Sequence, residues 1–386
     1  MKKTKQILML IESSTSYGRG FMRGIARFAR EQSDWEFTIQ PRGMNDPPPS
    51  LARWRGDGVI SRLSDRRSAD AVAALSCPVV ELLLDDHVPV FGDDDAIAGM
   101  TLDRFETLGF EHFAFFSFGG CFWVRHRGDS FAAECRRRSL DFDRFEPARC
   151  ELDQRPEPIW REPLEKPLDL WLQHLRKPTA ILCANDHQAI RLLNACRRLG
   201  LAVPDSVAIC GVNNDEHLCE IVAPTLSSVD QNAERIGYEA ARLLDLKMNN
   251  RPTTDFPKKI APSKLIERES TDAFLTEDAD FCRAWRFIRR RAVEGIRVAD
   301  VLAEFDLTDK TLERWFKKRF GHTPEREIIM TRLKKATELL ETTNDSLRKI
   351  AERAGFSSER YFSQAFRREI GISPHRWREK QTRSDS

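Results

Sequence analysis

At 386 residues the chain has room for two or three domains of about 150 residues each, with length enough for sizeable cores. A content of 41% apolar and 32% charged residues is that of a globular chain and sets aside fibrous and disordered classes, and no apolar run approaches the ~20 residues of a membrane-spanning helix. The net charge of +2 is unevenly spread: residues 273–386 carry 25 Lys and Arg against 19 Asp and Glu, net +6, and the remainder is net −4, so a polyanion is expected at one end only.

The start, MKKTKQILMLIESS, reads as a first β-strand. Its apolar run is too short for a secretion signal and no small-residue cleavage site follows Glu12, so the protein is expected in the cytoplasm. From residue 6 to about 270, short β-rich runs alternate with amphipathic stretches. Strands are expected at 6–11, 36–40, 58–61, 79–82, 112–118, 179–184, 207–212 and 258–266. Helices are expected at 20–32, 96–108, 130–138, 187–199 and 233–249. That alternation predicts an α/β body of two parallel sheets, each covered by helices on both faces. The Pro-, Glu- and Arg-rich residues 145–167 are expected near the entry into the second lobe. Nine scattered cysteines with no C-x-x-C spacing read as reduced core thiols, with neither a zinc site nor a disulfide framework.

After Ser270 the strands stop, and an all-α segment with short helices and turn signals runs to Lys380. The boundary is expected at 270–277, giving a body of residues 1–272 and a tail of 273–386. The tail contains a repeat: Phe316, Gly321 and Pro324 recur as Phe366, Gly371 and Pro374, each 50 residues later, and Val301-Leu302 match Ile350-Ala351 at an offset of 49. Each copy reads as a short helix, a turn, a longer basic helix and then Gly-x-[Thr/Ser]-Pro, which is helix-turn-helix punctuation written twice. In the first copy Thr308 caps a helix over 309–320, with Leu312, Trp315, Phe316 and Phe320 inward and Lys310, Glu313, Arg314 and Lys317 outward. In the second, Ser357 or Ser358 caps a helix over 359–370, with Tyr361, Phe362 and Phe366 inward and Glu359, Arg360, Ser363 and Gln364 outward. Exposed Arg and Glu are commonly just solvated faces. The duplication, the basic charge and the aromatic cores together favour base reading by the helix N-termini.

The body carries no complete enzyme signature. YGRGFMRG (17–24) follows the first strand, but Arg23 occupies the third glycine position of a dinucleotide fingerprint, and the second strand ends Gln-Pro-Arg without a carboxylate for a ribose. No phosphate-binding loop or serine elbow is present, and Asp215-Glu216-His217 reads as a solvated loop rather than a metal cluster. No catalytic residue, cofactor or metal is therefore expected. A sugar site is better supported. Asn185-Asp186 and Asn213-Asn214-Asp215 follow strands at their carboxyl ends, where open α/β sheets bind ligands. Trp123 and Arg127, after the 112–118 strand, add an apolar face and a fork of donors. Taken singly, each Asn or Asp reads equally well as a helix cap.

The stretch IAERAGFSSERYFSQAFRREIGISP (350–374), followed by Trp377-Arg378, resembles the signature of AraC-type regulators, over about residues 280–380. The resemblance implies two helix-turn-helix units joined by a long helix, about 324–341, that enter successive major grooves. It gives Lys310, Glu313 and Arg314, then Glu359, Arg360 and Gln364, as base-reading residues. The body resembles the LacI/periplasmic-binding-protein sensory fold over about 5–270, with Asn185-Asp186, the GVNND loop (211–215) and LSSV (226–229) at its landmarks. A two-lobed body of that kind joined to such a tail is similar to the XylR-like family of regulators. That likeness implies a cytoplasmic homodimer that binds a small carbohydrate between two lobes and activates transcription with RNA polymerase on double-stranded promoter DNA. Matching positions give Trp123, Arg127, Asn213 and Asn214 as pocket residues, beside Asp186 and Arg62. Arg62 and Asn213 stand where the family carries acids, which turns the expected effector from a xylose-like sugar toward an acidic or phosphorylated one. The competing classes are an enzyme-like body tethered to DNA and a non-specific nucleic-acid-binding protein.

Overall fold

The structure is a computed structural model that describes residues 4–384 apart from 33, 44–50, 52–53, 64–65, 84–90, 119–121, 146–164, 254–258 and 274–278. Two units divide the chain, Met1–Ala273 and Phe274–Ser386. In the first, β1 (Lys5–Leu10), β2 (Trp35–Ile39), β3 (Gly58–Ser61) and β4 (Val79–Glu81) form a parallel sheet in the order β2-β1-β3-β4. It carries α1 (Ser16–Gln32), α2 (Arg66–Ala73) and α8 (Ala233–Met248), and Ile7, Met9, Phe21, Ile25, Ile60, Ile236 and Leu244 fill its core.

The second sheet runs β12 (Lys264–Ile266), β10 (Ser227–Asp230), β9 (Val207–Val212), β8 (Thr179–Cys183), β6 (His112–Phe116), β7 (Asp141–Arg144), parallel except for β12. With it lie α3 (Asp94–Thr107), α4 (Phe122–Arg137), α5 (Glu165–His174), α6 (Asp186–Arg198) and α7 (Glu216–Ile221). β8 and β9 are buried along their whole length, which is why they read as continuous apolar runs. β5 (Phe91–Gly92) pairs in parallel with β11 (Lys259–Ile260), and the chain crosses between the lobes after β5, after β10 and after β11.

Three expectations need correction. The chain enters the second sheet at His112, well before residues 145–167, most of which lie outside the described residues. The expected single strand at 258–266 is two short ones, β11 and β12, in different sheets, because this segment is itself a crossover. α4 begins at Phe122, eight residues ahead of the expected start. The discouraging Gly128 sits inside it, because a β-carbon there would press on Phe115 and the Arg144 guanidinium at 2.8 and 2.7 Å.

The glycines of residues 17–24 have a packing reason. α1 crosses α8 so closely that a β-carbon on Gly24 would stand 1.9 Å from the Glu234 carbonyl oxygen, and one on Gly237 2.2 Å from that of Phe21. At the other end of the unit, Ser270 and Thr271 are fully buried: Ser270 Oγ donates to the Ile209 carbonyl at 2.6 Å, and the Ser227 and Thr271 hydroxyls meet at 2.6 Å. Those bonds tie the body's last residues to β9 and β10.

The second unit is helical: α9 (Ala279–Arg291), α10 (Val298–Phe305), α11 (Asp309–Phe320), α12 (Pro324–Thr342), α13 (Leu347–Arg353), α14 (Glu359–Ile370) and α15 (Pro374–Ser384). The repeat has a structural basis at both ends of α11 and α14. Thr308 and Ser358 accept the backbone N–H of Thr311 and Tyr361, and Gly321 and Gly371 close the helices at φ 70° and 88°. Phe281, Trp285, Phe316 and Phe320 pack the first copy. Phe356, Phe362, Phe366 and Trp377 pack the second. α12 serves both, since buried Arg332 donates to the Ala292 and Ile296 carbonyls at 2.8 and 2.6 Å and its other apolar residues join the second core. No described helix is long and apolar enough to cross a membrane.

Candidate functional site

The carboxyl ends of β1 and β3 in one lobe face those of β6, β8 and β9 in the other across a cavity of about 300 Å³. Trp123 and Arg127 reach it from the first turns of α4, Asp186 from the start of α6, Asn213 from the loop after β9, and Arg62 from the end of β3. Five of the six ligand candidates thus line one space. Asn214 does not: its Oδ1 accepts from Arg268 Nη2 at 3.0 Å, its N–H donates to Ser228 Oγ at 3.0 Å, and it lines a separate depression. The left-handed backbone at both residues (φ 111° and 49°) turns the two neighbours to opposite sides.

Arg127 is buried and organises one wall. Its Nε donates to Asp94 Oδ1 at 2.7 Å, Nη1 to the Ala184 carbonyl at 2.5 Å and Nη2 to Gln231 Oε1 at 2.8 Å. The guanidinium lies 5.6 Å from the centre of the Trp123 ring. Gln231 Nε2 in turn donates to Asn213 Oδ1, and His126 Nδ1 meets Asp94 Oδ2 at 2.8 Å. Burial alone would raise the Asp94 pKa, but the Arg127 charge and the bonds from His126 and Arg127 hold it below the carboxylate range. The bond to Asp94 raises that of His126.

Asp186 is 1% exposed and both its oxygens are taken, Oδ2 by the Asp215 N–H at 2.7 Å and Oδ1 by the Ser228 hydroxyl at 2.5 Å. Burial pushes its pKa up to about 7. Its geometry is that of a brace beneath the GVNND loop. Asp215, although it stands at the start of α7, makes no cap bond there. Its Oδ2 instead accepts the N–H of Ser16, the first residue of α1, at 3.2 Å across the cleft.

On the opposite wall the buried Arg62 guanidinium pairs with Glu12 and lies over the Tyr17 and Phe21 rings at 5.1 and 5.7 Å. The cationic step expected at Arg62 is therefore met by a carboxylate. Burial pushes the Tyr17 hydroxyl up to about 12, so it remains a neutral donor, 3.4 Å from Gln231 Oε1. Phe91 and Phe122 complete the aromatic lining.

Glu12, Tyr17, Asp94, His126 and Gln231 were not singled out from sequence. Glu12 had a usable signal, its place just past the carboxyl end of the first strand. Asp94 was hidden in an acidic run, Asp93-Asp94-Asp95, that reads as solvated, and Gln231 follows β10, whose Ser-Ser start did not read as a strand.

In the second unit Lys310, Arg314, Glu359, Arg360 and Gln364 are exposed on the first two turns of α11 and α14. Glu313 is half-buried and paired with Lys317 at 2.7 Å. Tyr361, expected inward, is 37% exposed with its ring against the edge of Phe356.

Residues 102–271 match the family described as a periplasmic binding protein-like domain, and residues 301–380 match a helix-turn-helix domain. The chain is 28% identical to the xylose operon regulatory protein of Escherichia coli K12 over 98% of this chain and 97% of that one. The structure of the xylose-binding transcription activator xylR superposes with a TM-score of 0.66 at 26% identity, covering 98% of both chains. Along almost its whole length the chain resembles XylR-type transcriptional regulators. Over 118 residues the chain is also 42% identical to the transcriptional activator RhaS of Enterobacter sp. 638, a match that spans 30% of this chain and 40% of that protein. A periplasmic-binding-protein-like sensory domain is thus followed by an AraC-type DNA-binding domain.

Proposed function

We propose that the regulator senses a neutral, xylose-like monosaccharide and answers by activating transcription from promoter DNA. In this reading residues 1–272 form the sensor and residues 273–386 bind DNA, in a cytoplasmic homodimer that works with RNA polymerase and not as an enzyme. The observation that carries the reading is the cleft. Its volume of about 300 Å³ is monosaccharide-sized, at the low end of the ~300–1,000 Å³ of ligand pockets. Tyr17, Phe91, Phe122 and Trp123 offer apolar faces for a sugar ring, and Arg127, Asn213, Gln231 and Arg62 offer donors and acceptors for its hydroxyls. Both guanidiniums already face carboxylates, Arg62 to Glu12 and Arg127 to Asp94, which favours an uncharged sugar over an acidic one.

The effector acts by preferring the closed arrangement of the lobes, in which Ser16 and Asp215 meet; a ligand with equal affinity for open and closed forms would shift nothing. Linkage then requires operator DNA to change sugar affinity by the same factor that sugar changes DNA affinity. Base reading falls to Lys310 and Arg314 on α11 and to Glu359, Arg360 and Gln364 on α14, with Glu313 engaged by Lys317.

The test is a thermal-shift screen of the full chain against pentoses, hexoses, uronates and sugar phosphates, followed by footprinting with the best ligand. An effector at a hundred times its Kd adds ~2.7 kcal/mol of stability. A strong neutral-sugar hit with a footprint confined to one promoter is expected. Stabilisation by uronates or phosphates alone would sink the neutral-sugar reading.

A further inference from the structure

We propose that Glu12, held by Arg62, sets the sugar specificity of the cleft by accepting a hydroxyl proton of the effector on its Oε2 and opposing a carboxylate brought into the cleft. The inference rests on the reading of the cleft as a neutral-sugar site. Glu12 is 1% exposed. Its Oε1 is engaged by Arg62 Nη1 and by the Thr15 hydroxyl at 3.2 Å, whereas Oε2 is buried with no hydrogen-bond partner. A buried carboxylate oxygen left unpaired is costly, and such groups are retained where something outside the fold completes them.

Its surroundings are built rather than accidental. β1 and β3 are parallel neighbours with Leu10 opposite Ser61, and the Arg62 N–H donates to the Leu10 carbonyl at 3.0 Å. That register sets the two charged side chains together at the carboxyl edge of the sheet, both lining the cavity. On its far side Glu12 is closed off by α1, where a β-carbon at Gly18 would stand 1.9 Å from the Glu12 carbonyl oxygen and 3.0 Å from its carboxyl carbon. The rings of Tyr17 and Phe21 hold the Arg62 guanidinium in place.

A carboxylate oxygen beside a guanidinium presents one acceptor and several donors within a few ångströms. A sugar hydroxyl satisfies both, donating to Glu12 and accepting from Arg62. A carboxylate has no proton for Glu12 and meets its charge. The rest of the lining adds to the discrimination, since Asp94, Asp186 and Asp215 also face the cavity and Arg127 is already paired.

The experiment is calorimetric titration of the full-length protein with the tightest neutral sugar among D-xylose, L-arabinose, D-ribose and D-glucose, and with D-glucuronate. The variants are Glu12→Gln and Glu12→Gln/Arg62→Gln, the second removing both charges so that no unpaired cation stays buried. Both variants should fold, with apo melting temperatures within a few degrees of the wild type. Both should bind the neutral sugar about 10- to 100-fold more weakly. In both, the neutral-to-glucuronate affinity ratio should fall by about tenfold or more. Wild-type sugar affinity in either variant, or loss of the folded apo protein in both, assigns the pair to the fold alone and overturns the inference. A wild-type protein that binds no neutral monosaccharide overturns instead the reading of the cleft on which it rests.

Discussion

At the scale of single residues, charge placement decides what the cleft and the tail can recognise. Arg360 is exposed in the first turn of α14, whose N-terminus Ser358 caps, and a side chain there reaches a base edge when the helix enters a major groove. Arg360→Ala should cost roughly 1–3 kcal/mol at the cognate operator and little on random DNA, measured by fluorescence anisotropy. Equal losses on both would make Arg360 a phosphate contact. Asp186 gives a prediction of the opposite kind, about stability. Its folded pKa of about 7 lies above the unfolded value, so the folded state holds the extra proton and stability falls as pH rises toward and through 7. The raised pKa of His126 works in the same direction. Between pH 6 and pH 8 Asp186 should remove about 1 kcal/mol of stability, and Asp186→Asn should flatten the melting-temperature profile over that window by as much. An unchanged profile would place the Asp186 titration elsewhere.

Among elements, close approach matters more than propensity. The glycines at 18, 20 and 24 looked like an incomplete nucleotide fingerprint, yet they serve the α1–α8 crossing and the closure of α1 over Glu12. Gly237→Ala should force the two helices apart, because its β-carbon would meet the Phe21 backbone at 2.2 to 2.8 Å. A loss on the order of 1–3 kcal/mol or more is expected in urea unfolding. A variant as stable as the wild type would mean the crossing relaxes without cost. The limits of α11, α12 and α14 were legible almost residue by residue, since caps, αL glycines and an N1 proline mark them locally. β7 and β10 were not: β7 is Asp-Phe-Asp-Arg, with a single apolar residue, and β10 buries serines that become acceptable only through Asp186, Ser270 and Thr271.

For the whole molecule, the electrostatic asymmetry between body and tail has a measurable consequence. The proposed homodimer presents four helix-turn-helix units, and each phosphate neutralised contributes about −0.9 to the slope of log K against log salt. Operator affinity should therefore fall with a slope of about −4 or steeper, and an affinity indifferent to salt would refute base reading supported by backbone contacts. Sugar and operator should be coupled reciprocally, so saturating DNA ought to change sugar affinity by the factor measured the other way round.

The sequence by itself determined what depends on neighbours along the chain. The alternation of apolar runs set two α/β lobes, the 49- to 50-residue repeat set two helix-turn-helix copies, and Thr308 and the Ser357-Ser358 pair set where α11 and α14 start. Only the tertiary structure decided the charge of the cleft. Glu12 and Arg62 are 50 positions apart and Asp94 and Arg127 are 33 apart, and their pairing follows from strand register and from α3 lying beside α4. The same holds for Asn213 and Asn214, adjacent in sequence and sent to different sides by two left-handed residues. Local patterns report backbone preference over a few residues, whereas an ion pair's partner and a loop's facing direction depend on contacts that form only when the sheet closes.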